Sequence, residues 1–381
     1  MRSILKRAFS LFLLFSVLFS FAACGSEEAP VTTFDIVTEP QEETETVQSV
    51  TTEEEVVTLP PVPTLPENMN PLTGLACDAS LVGKRPLAVM LNNLKVALPQ
   101  SGLSKCDIIY EVLAEGGIIR LEGILLDYAN AGNLGSIRSA RPYYVQIAAS
   151  YDALYAHFGG SQPMAYNEIR NLGVNNMDGM AYDGVKLNGV DTFFRNRDRL
   201  NSGVPMEHTA FATGAGLAAI VANRGYRTDL NNKDFTAFAF DPAFAGIQNG
   251  SPATYIRIPH SDYSVSEFKF DAASGKYLHS QYGAPHVDGV DGAQVATENV
   301  WILFAAERVV DSYGRLEVTL TGEGSGYYLN GGTACPITWK RAGAGDAFRY
   351  YAADGTELKV ACGRSYISIV DTDTIPHVTI S

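Results

Sequence analysis

Short apolar runs separated by glycine and polar residues organise the first half of the chain. These runs are rich in aliphatic, β-branched and aromatic side chains and are too short for buried helices, so they predict strands. The predicted strands are Pro86–Asn92, Asp107–Leu113, Ile118–Tyr128 and Ala153–Phe158.

Helical segments alternate with these strands. Pro142 suits the first turn of a helix, and Ser161 is expected to cap the next one. A Gly- and Ala-rich helix is predicted over residues 213–223 and ends at Gly225. Strands mixed with helices predict a layered α/β domain over residues 70–225.

After Tyr226 the helical period disappears and residues alternate between apolar and polar in short runs such as TYIRI, KYLHS and RLEVTL. Turn pairs such as Asp354-Gly355 separate the runs. This pattern predicts a second domain over residues 226–381, built as an antiparallel all-β sheet, sandwich or barrel. The predicted fold class is therefore α+β.

The N-terminus is typical of an exported lipoprotein. Arg2, Lys6 and Arg7 precede an apolar run that ends in FAACGS, a sequence that resembles a bacterial lipobox. Residues 1–23 are therefore predicted to be a signal peptide, with Cys24 lipidated and holding the protein on the extracytoplasmic face of the membrane. The alternative is an ordinary secretory signal that happens to contain Cys24.

The charge of the chain is concentrated behind this signal. Residues 25–70 contain ten Glu, one Asp and no Lys or Arg, and they supply most of the net charge of −14. Residues 24–69 are predicted to be a disordered acidic tether. Because the remaining sequence is only mildly acidic, no nucleic-acid partner is expected.

Four further cysteines follow Cys24. They show no CxxC or Cys/His spacing, so we expect no zinc site. An exported protein can form disulfides, for which the plausible pairs are Cys77–Cys106 and Cys335–Cys362. Free buried thiols fit the sequence equally well.

Charged residues at predicted strand ends and at a helix entry are the candidate ligand-binding groups. Guanidinium groups beside the unpaired N–H groups of a helix N-terminus suit a carboxylate or phosphate. The alternative is that the arginines form ion pairs with Glu111, Glu115 and Glu122. The predicted ligand-binding residues are Glu111, Glu115, Arg120, Arg138, Arg141 and His157.

Two histidines are candidate catalytic bases. His157 lies at a strand end four residues before Ser161, and His208 lies in PMEHT. His157 and the Ser161 hydroxyl could act as base and nucleophile if an acid such as Glu111 oriented the His157 ring. The elbow pattern GxSxG is absent, and no HExxH motif supports a metal. No metal and no cofactor are predicted.

Several motifs together resemble those of the YerB-like lipoproteins of Gram-positive bacteria. They are NPLTGL, PQSGLSKCDIIYE, SIRSARPYY, HFGGS, GEGSGYYLNGG and GRSYISIV, and they span most of residues 70–372. The resemblance implies a lipoprotein with two domains of unknown function and no particular reaction. Two departures are Glu207-His208-Thr209 in place of Pro-His-Asn and Asn92-Asn93 in place of Asp-Asn.

The sequence therefore favours a surface lipoprotein that acts as a binding or accessory module for an anionic cell-envelope component. The alternative function is an envelope hydrolase or transferase that acts on a cell-wall polymer or a polyprenyl-linked precursor. A third hypothesis is a scaffold for another envelope protein.

Overall fold

A computed structural model describes residues 62–381, within a compact unit formed by Pro60–Ser381. The predicted signal peptide, Cys24 and residues 24–61 of the predicted tether lie outside the described residues. Within the described part, no helix combines the length and apolar character needed to cross a membrane.

The first half of the described chain alternates strands with short helices. Its strands are β1 (Leu87–Asn92), β2 (Ile108–Leu113), β3 (Ile119–Leu125), β4 (Asn133–Gly135), β5 (Leu154–His157), β6 (Asn176–Asp178), β7 (Lys186–Leu187), β8 (Val190–Asp191), β9 (Phe193–Arg195) and β10 (Ala210–Thr213). The α-helices are α1 (Pro142–Ser150), α2 (Met164–Asn171), α3 (Gly179–Tyr182), α4 (Arg197–Asn201) and α5 (Gly214–Arg224).

The second half consists of strands and one 3₁₀ turn. Its strands are β11 (Ala239–Phe240), β12 (Ser251–Pro252), β13 (Tyr255–Pro259), β14 (Val265–Asp271), β15 (Lys276–Gln281), β16 (Ala284–Pro285), β17 (Ala296–Thr297), β18 (Asn299–Ala305), β19 (Glu307–Val309), β20 (Leu316–Val318), β21 (Gly322–Asn330), β22 (Thr333–Arg341), β23 (Arg349–Tyr351), β24 (Lys359–Val360), β25 (Ser365–Asp371) and β26 (Thr379–Ile380). The 3₁₀ turns of the described chain are Ala79–Leu81, Lys95–Ala97, Leu103–Lys105, Glu115–Gly117, Tyr128–Asn130, Met206–His208 and Thr372–His377.

The predicted elements agree closely with these bounds. Pro142 is the first residue of α1, and α5 ends at Gly225, which adopts the left-handed conformation at φ 61°. The predicted cap at Ser161 is wrong, because α2 begins after Pro163 and the buried Ser161 hydroxyl has no hydrogen-bond partner among the described residues. The predicted fold class is confirmed: an α/β first half precedes a strand-rich, mainly antiparallel second half.

One large sheet contains strands from both halves of the chain. Its order is β12-β22-β21-β18-β25-β2-β3-β1-β5-β6, with β23 paired to β22. The late strand β25 lies between β18 and β2 and runs parallel to both. Strands β1 and β2 are each antiparallel to β3, and β1, β5 and β6 are parallel, so β18, β25, β2, β1, β5 and β6 share one direction.

The central strands are covered on both faces, which explains their continuous apolar sequences. Every residue of β1, β3 and β18 is buried. Successive side chains of β1 enter different cores: Ala88 and Met90 pack with α1, whereas Val89 and Leu91 pack with α5 and the sheet β16-β15-β14-β13-β26. The large sheet therefore forms the middle layer.

The four described cysteines are free thiols. Cys106 is buried and the other three, Cys77, Cys335 and Cys362, are half-buried. Of the two thiol states that the sequence left open, this structure has the unpaired one.

Glu122 is an unpaired carboxyl group within the core on the α1 side of the sheet. It is fully buried on β3, opposite Met90 of β1 and Tyr110 of β2. Neither carboxyl oxygen has a hydrogen-bond partner among the described residues. Burial alone raises the pKa of Glu122 well above the ordinary 4.5, so the folded protein holds a proton there that the unfolded chain releases.

The wild-type protein is expected to lose stability as the pH rises, because only its unfolded chain releases the Glu122 proton. Glu122→Gln has no such proton, so the variant should not show this loss. Between pH 5 and 8 the difference in unfolding free energy, variant minus wild type, should grow with rising pH, by up to about 1.4 kcal/mol per pH unit while the folded protein keeps this carboxyl protonated. Urea unfolding across this pH range measures it, with the exposed Glu323→Gln as the control. A difference that stays constant with pH would show that Glu122 does not hold a proton.

Candidate functional site

The carboxyl ends of the six parallel strands form one edge of the large sheet, here called the carboxyl edge. In α/β sheets this edge is where ligands generally bind. Polar groups end four of its strands: Asn92 on β1, His157 on β5, Asp178 on β6 and Asp371 on β25. Glu115 follows β2 in the turn Glu115–Gly117 at the same edge.

Glu115 is clamped by two buried arginines. Arg120 Nη2 lies 2.7 Å from Glu115 Oε1, and Arg141 Nε lies 2.9 Å from Glu115 Oε2. Burial acts to raise the pKa of Glu115, but Arg141 and Arg120 outweigh it and lower that pKa to about 2. Arg120 and Arg141 are 3% and 6% exposed. Arg120 and Arg141 therefore form ion pairs with Glu115, which is the alternative to ligand binding that the sequence left open for them.

Arg138 differs from its two neighbours because it faces solvent. It is half-buried and donates from Nη1 to the carbonyl oxygen of Glu207 at 2.8 Å. Within residues 62–381 no carboxylate oxygen lies within 4 Å of its guanidinium nitrogens. Burial lowers the pKa of Arg138. The negative charge of Glu207 acts to raise that pKa, and the positive charge of Arg141 acts to lower it further.

A cavity of about 490 Å³ opens at this position and is here called the arginine cavity. Its volume is within the range usual for small-molecule sites. Two guanidinium groups and one carboxylate line it, beside apolar side chains and the glycines that follow β5. The lining includes Arg138, Arg195, Glu207, Phe158, Met180 and Met206.

Arg195, at the end of β9, is held in place from three sides. Its Nε lies 2.8 Å from Asp183 Oδ2, its Nη1 donates to the Met206 carbonyl at 2.9 Å, and its guanidinium stacks 4.3 Å from the centre of the Phe158 ring. Arg195 therefore lines the same cavity as Arg138.

His157 lies behind the arginine cavity and is fully buried. Its Nδ1 donates to the Gly159 carbonyl at 2.8 Å, and its Nε2 accepts from the Asn176 amide at 2.9 Å. Burial lowers the pKa of His157 even though Asp178 lies 3.9 Å away. A neutral ring with both nitrogens bonded supports the glycine turn and does not line the cavity.

His208 adjoins the arginine cavity without lining it. Its Nδ1 accepts from the Asn92 amide at 2.8 Å, and its Nε2 lies 3.8 Å from Glu207 Oε1. Burial and the nearby Arg138 lower the pKa of His208. Asn92, at the end of β1, thus provides an amide donor to this histidine.

Glu111 lies elsewhere, which corrects the predicted grouping with the arginines. It is fully buried on β2 and accepts from the hydroxyls of Ser368, at 2.8 Å, and Ser266. His260 Nε2 is 3.4 Å from Glu111 Oε2. Burial acts to raise the pKa of Glu111, but His260, His279 and Ser266 lower it to about 2. Its partners all come from the second half of the chain.

Two more buried histidines continue this group. His286 Nε2 lies 2.8 Å from the Gln100 side-chain oxygen, so it donates, and His286 Nδ1 accepts from His279 Nδ1 at 2.8 Å. Burial lowers the pKa of His279 to about 4. Glu111, His260, His279 and His286 are together called the histidine cluster. Among residues 62–381, no group of His, Cys, Asp and Glu has the arrangement of a metal site.

Sequence reasoning missed the histidine cluster and the cavity methionines. A usable signal was present for His279, because strand alternation places it on the buried face of β15 with Tyr277 and Gln281. No comparable signal marked Met180 or Met206, since isolated exposed methionines are common.

The sequence matches two family profiles. Residues 72–227 match "Protein of unknown function (DUF3048) N-terminal domain", and residues 255–367 match "Protein of unknown function (DUF3048) C-terminal domain". The first match contains the arginine cavity, and the second contains His260, His279 and His286.

A curated relative from Bacillus subtilis (strain 168) bears the name "Putative lipoprotein YerB". It is 29% identical over 306 residues, which are 79% of this chain and 85% of the relative. The chain belongs to the YerB-like family. The crystal structure of the YerB protein from Bacillus subtilis matches this YerB-like fold with a TM-score of 0.69 and 28% identity, over 82% of this chain and 99% of that one.

Proposed function

We propose that this YerB-like protein is a membrane-anchored surface lipoprotein that binds an anionic component of the cell envelope in the arginine cavity. The observation that carries the proposal is Arg138, a guanidinium on the cavity wall with no carboxylate within 4 Å among the described residues. Guanidinium groups bind phosphate and carboxylate through paired hydrogen bonds.

The electrostatics around the cavity support an anion. Arg120 and Arg141 lie behind its wall and share the single carboxylate of Glu115, while Arg195 is paired with Asp183. Glu207 is the acidic side chain of the lining, and it is 60% exposed to solvent. Water screens an exposed carboxylate more strongly than it screens the half-buried Arg138.

The enzymatic alternative receives less support. Both ring nitrogens of His157 are bonded, and the hydrogen bond from Asn92 occupies Nδ1 of His208. Glu111 is bound within the histidine cluster and not at the cavity. A general base must be within hydrogen-bond reach of the proton it removes. Binding is therefore the function that this geometry favours.

Membrane anchoring is proposed to occur through lipidation of Cys24. The lipobox-like sequence and the name of the Bacillus subtilis relative support this proposal. The protein would then lie on the extracytoplasmic face, where phosphate-rich envelope components are its available ligands.

Arg138→Ala is expected to weaken the binding of glycerol phosphate to residues 60–381 by about tenfold or more, because charge-assisted hydrogen bonds contribute about 1.5–3 kcal/mol each. Arg195→Ala should weaken it similarly. Calorimetric titration measures both affinities. Arg138→Lys, which keeps the charge and loses the paired geometry, should fall between wild type and the alanine variant.

The control is Arg349→Ala, which removes an exposed arginine from β23, outside the cavity. Its affinity should equal that of wild type. Undetectable binding by the wild type, or equal affinity in the Arg138→Ala, Arg195→Ala double variant, would refute the proposed function.

A further inference from the structure

Two strongly exposed methionines stand beside the guanidinium groups of the arginine cavity. Met180 is 67% exposed and Met206 is 62% exposed, and both line the cavity. The half-buried Phe158 ring lines it too, next to Arg195. An apolar surface of flexible methionine side chains adapts readily to alkyl groups.

The backbone fixes both methionines in this position. Met180 lies in the first turn of α3, where its N–H donates to the capping carboxylate of Asp178 at 3.0 Å. Met206 begins a 3₁₀ turn whose carbonyls accept from Arg195 at 2.9 Å and, at Glu207, from Arg138 at 2.8 Å. The bonds that hold the two guanidinium groups therefore also place Met206, and the cap at Asp178 places Met180.

We infer that the ligand of this cavity is a phosphate lipid, with its phosphate beside Arg138 and Arg195 and its first alkyl carbons against Met180, Met206 and Phe158. This inference rests on the proposed function and specifies its ligand. A purely hydrophilic phosphate polymer would leave the apolar rim uncovered. A lipid phosphate satisfies the charge and covers the rim in the same binding mode.

Short-chain lipids test the inference, because they can be titrated below their micelle concentration. Dihexanoyl phosphatidic acid should bind residues 60–381 at least about tenfold more tightly than glycerol phosphate, since its alkyl chains bury apolar surface. Dihexanoyl phosphatidylcholine, which has no net charge, should bind at least about tenfold more weakly than the phosphatidic acid.

The Met180→Gln, Met206→Gln variant should reduce the preference for lipid over glycerol phosphate to about twofold or less, because the alkyl chains lose their apolar contact. Met180→Leu, Met206→Leu should keep the preference, and Tyr313→Ser, which removes a 77% exposed aromatic residue outside the cavity, should also keep it. Thermal unfolding confirms that each variant is folded.

The outcomes separate the two proposals. Equal affinities for phosphatidic acid and glycerol phosphate, or an unchanged preference in the glutamine variant, would overturn the lipid inference and leave anion binding intact. Binding of neither ligand would overturn both.

Discussion

Residues 62–227, expressed without the rest of the chain, are expected not to fold. Strand β25 pairs with β2 from Ile108↔Ser365 to Val112↔Ile369, in the middle of the large sheet. Its removal would expose both the edge of β2 and the buried apolar faces beside it. An isolated sheet with such an open, apolar edge tends to aggregate. Chemical-shift dispersion and cooperative urea unfolding measure the outcome.

The matched control keeps both halves of the protein and cuts the backbone between them. A protease site inserted next to Ala245, an exposed residue of the loop before β12, should leave the cleaved protein folded, with both fragments bound to each other. A well-dispersed spectrum from residues 62–227 alone would show that the first half is an independent domain. The predicted boundary between residues 225 and 226 would then separate two units that fold independently, and not only two kinds of hydrophobic pattern.

Glu111→Ala is expected to lower the free energy of unfolding by about 3–5 kcal/mol, because it leaves two buried hydroxyl donors without an acceptor, at about 1–3 kcal/mol each, and a cavity in place of the side chain. The hydroxyls of Ser266 and Ser368 would lose their shared acceptor, and the ring of His260 would lose the carboxylate that lies 3.4 Å from its Nε2. Urea unfolding near pH 7 measures the change. Glu323→Ala, at an exposed glutamate, is the control and should change stability by less than about 0.5 kcal/mol.

The effect of Glu111 should also depend on pH. Its pKa is about 2 in the folded protein and 4.5 ordinarily, so its contribution is complete above about pH 4.5 and disappears as the pH falls toward 2. The stabilities of wild type and Glu111→Gln should therefore converge in acid. A constant difference between them down to pH 2 would contradict the ionised state of this carboxyl.

Local sequence chemistry was enough to predict the longer elements of the first half, but not its short strands β4 and β6 to β10 or the helices α3 and α4. Pro142 specifies the start of α1, and Gly225 provides the left-handed residue that ends α5. The position of β25 was beyond such reasoning, because a parallel partner more than 250 residues away leaves no local signal in β2.

The candidate site was predictable only in part for a similar physical reason. Glu115 and the arginines are close in sequence to strand ends, so their grouping followed from the pattern. The orientation of Glu111 could not be predicted from the pattern. Strand β2 is buried on both faces, so it lacks the alternation that assigns a side chain to one face. His157 was predicted at a strand end, but the burial that removes it from the cavity depends on Tyr155, which stacks against it, and Asn176.

The most direct test of anion binding at the carboxyl edge is a methyl NMR titration of residues 60–381 labelled at methionine. Met180 and Met206 line the arginine cavity, whereas Met90 and Met177 are fully buried and serve as internal references. On addition of glycerol phosphate, the methyl signals of Met180 and Met206 should shift in a saturable way and the references should not. Unmoved Met180 and Met206 signals at saturating ligand would contradict the account.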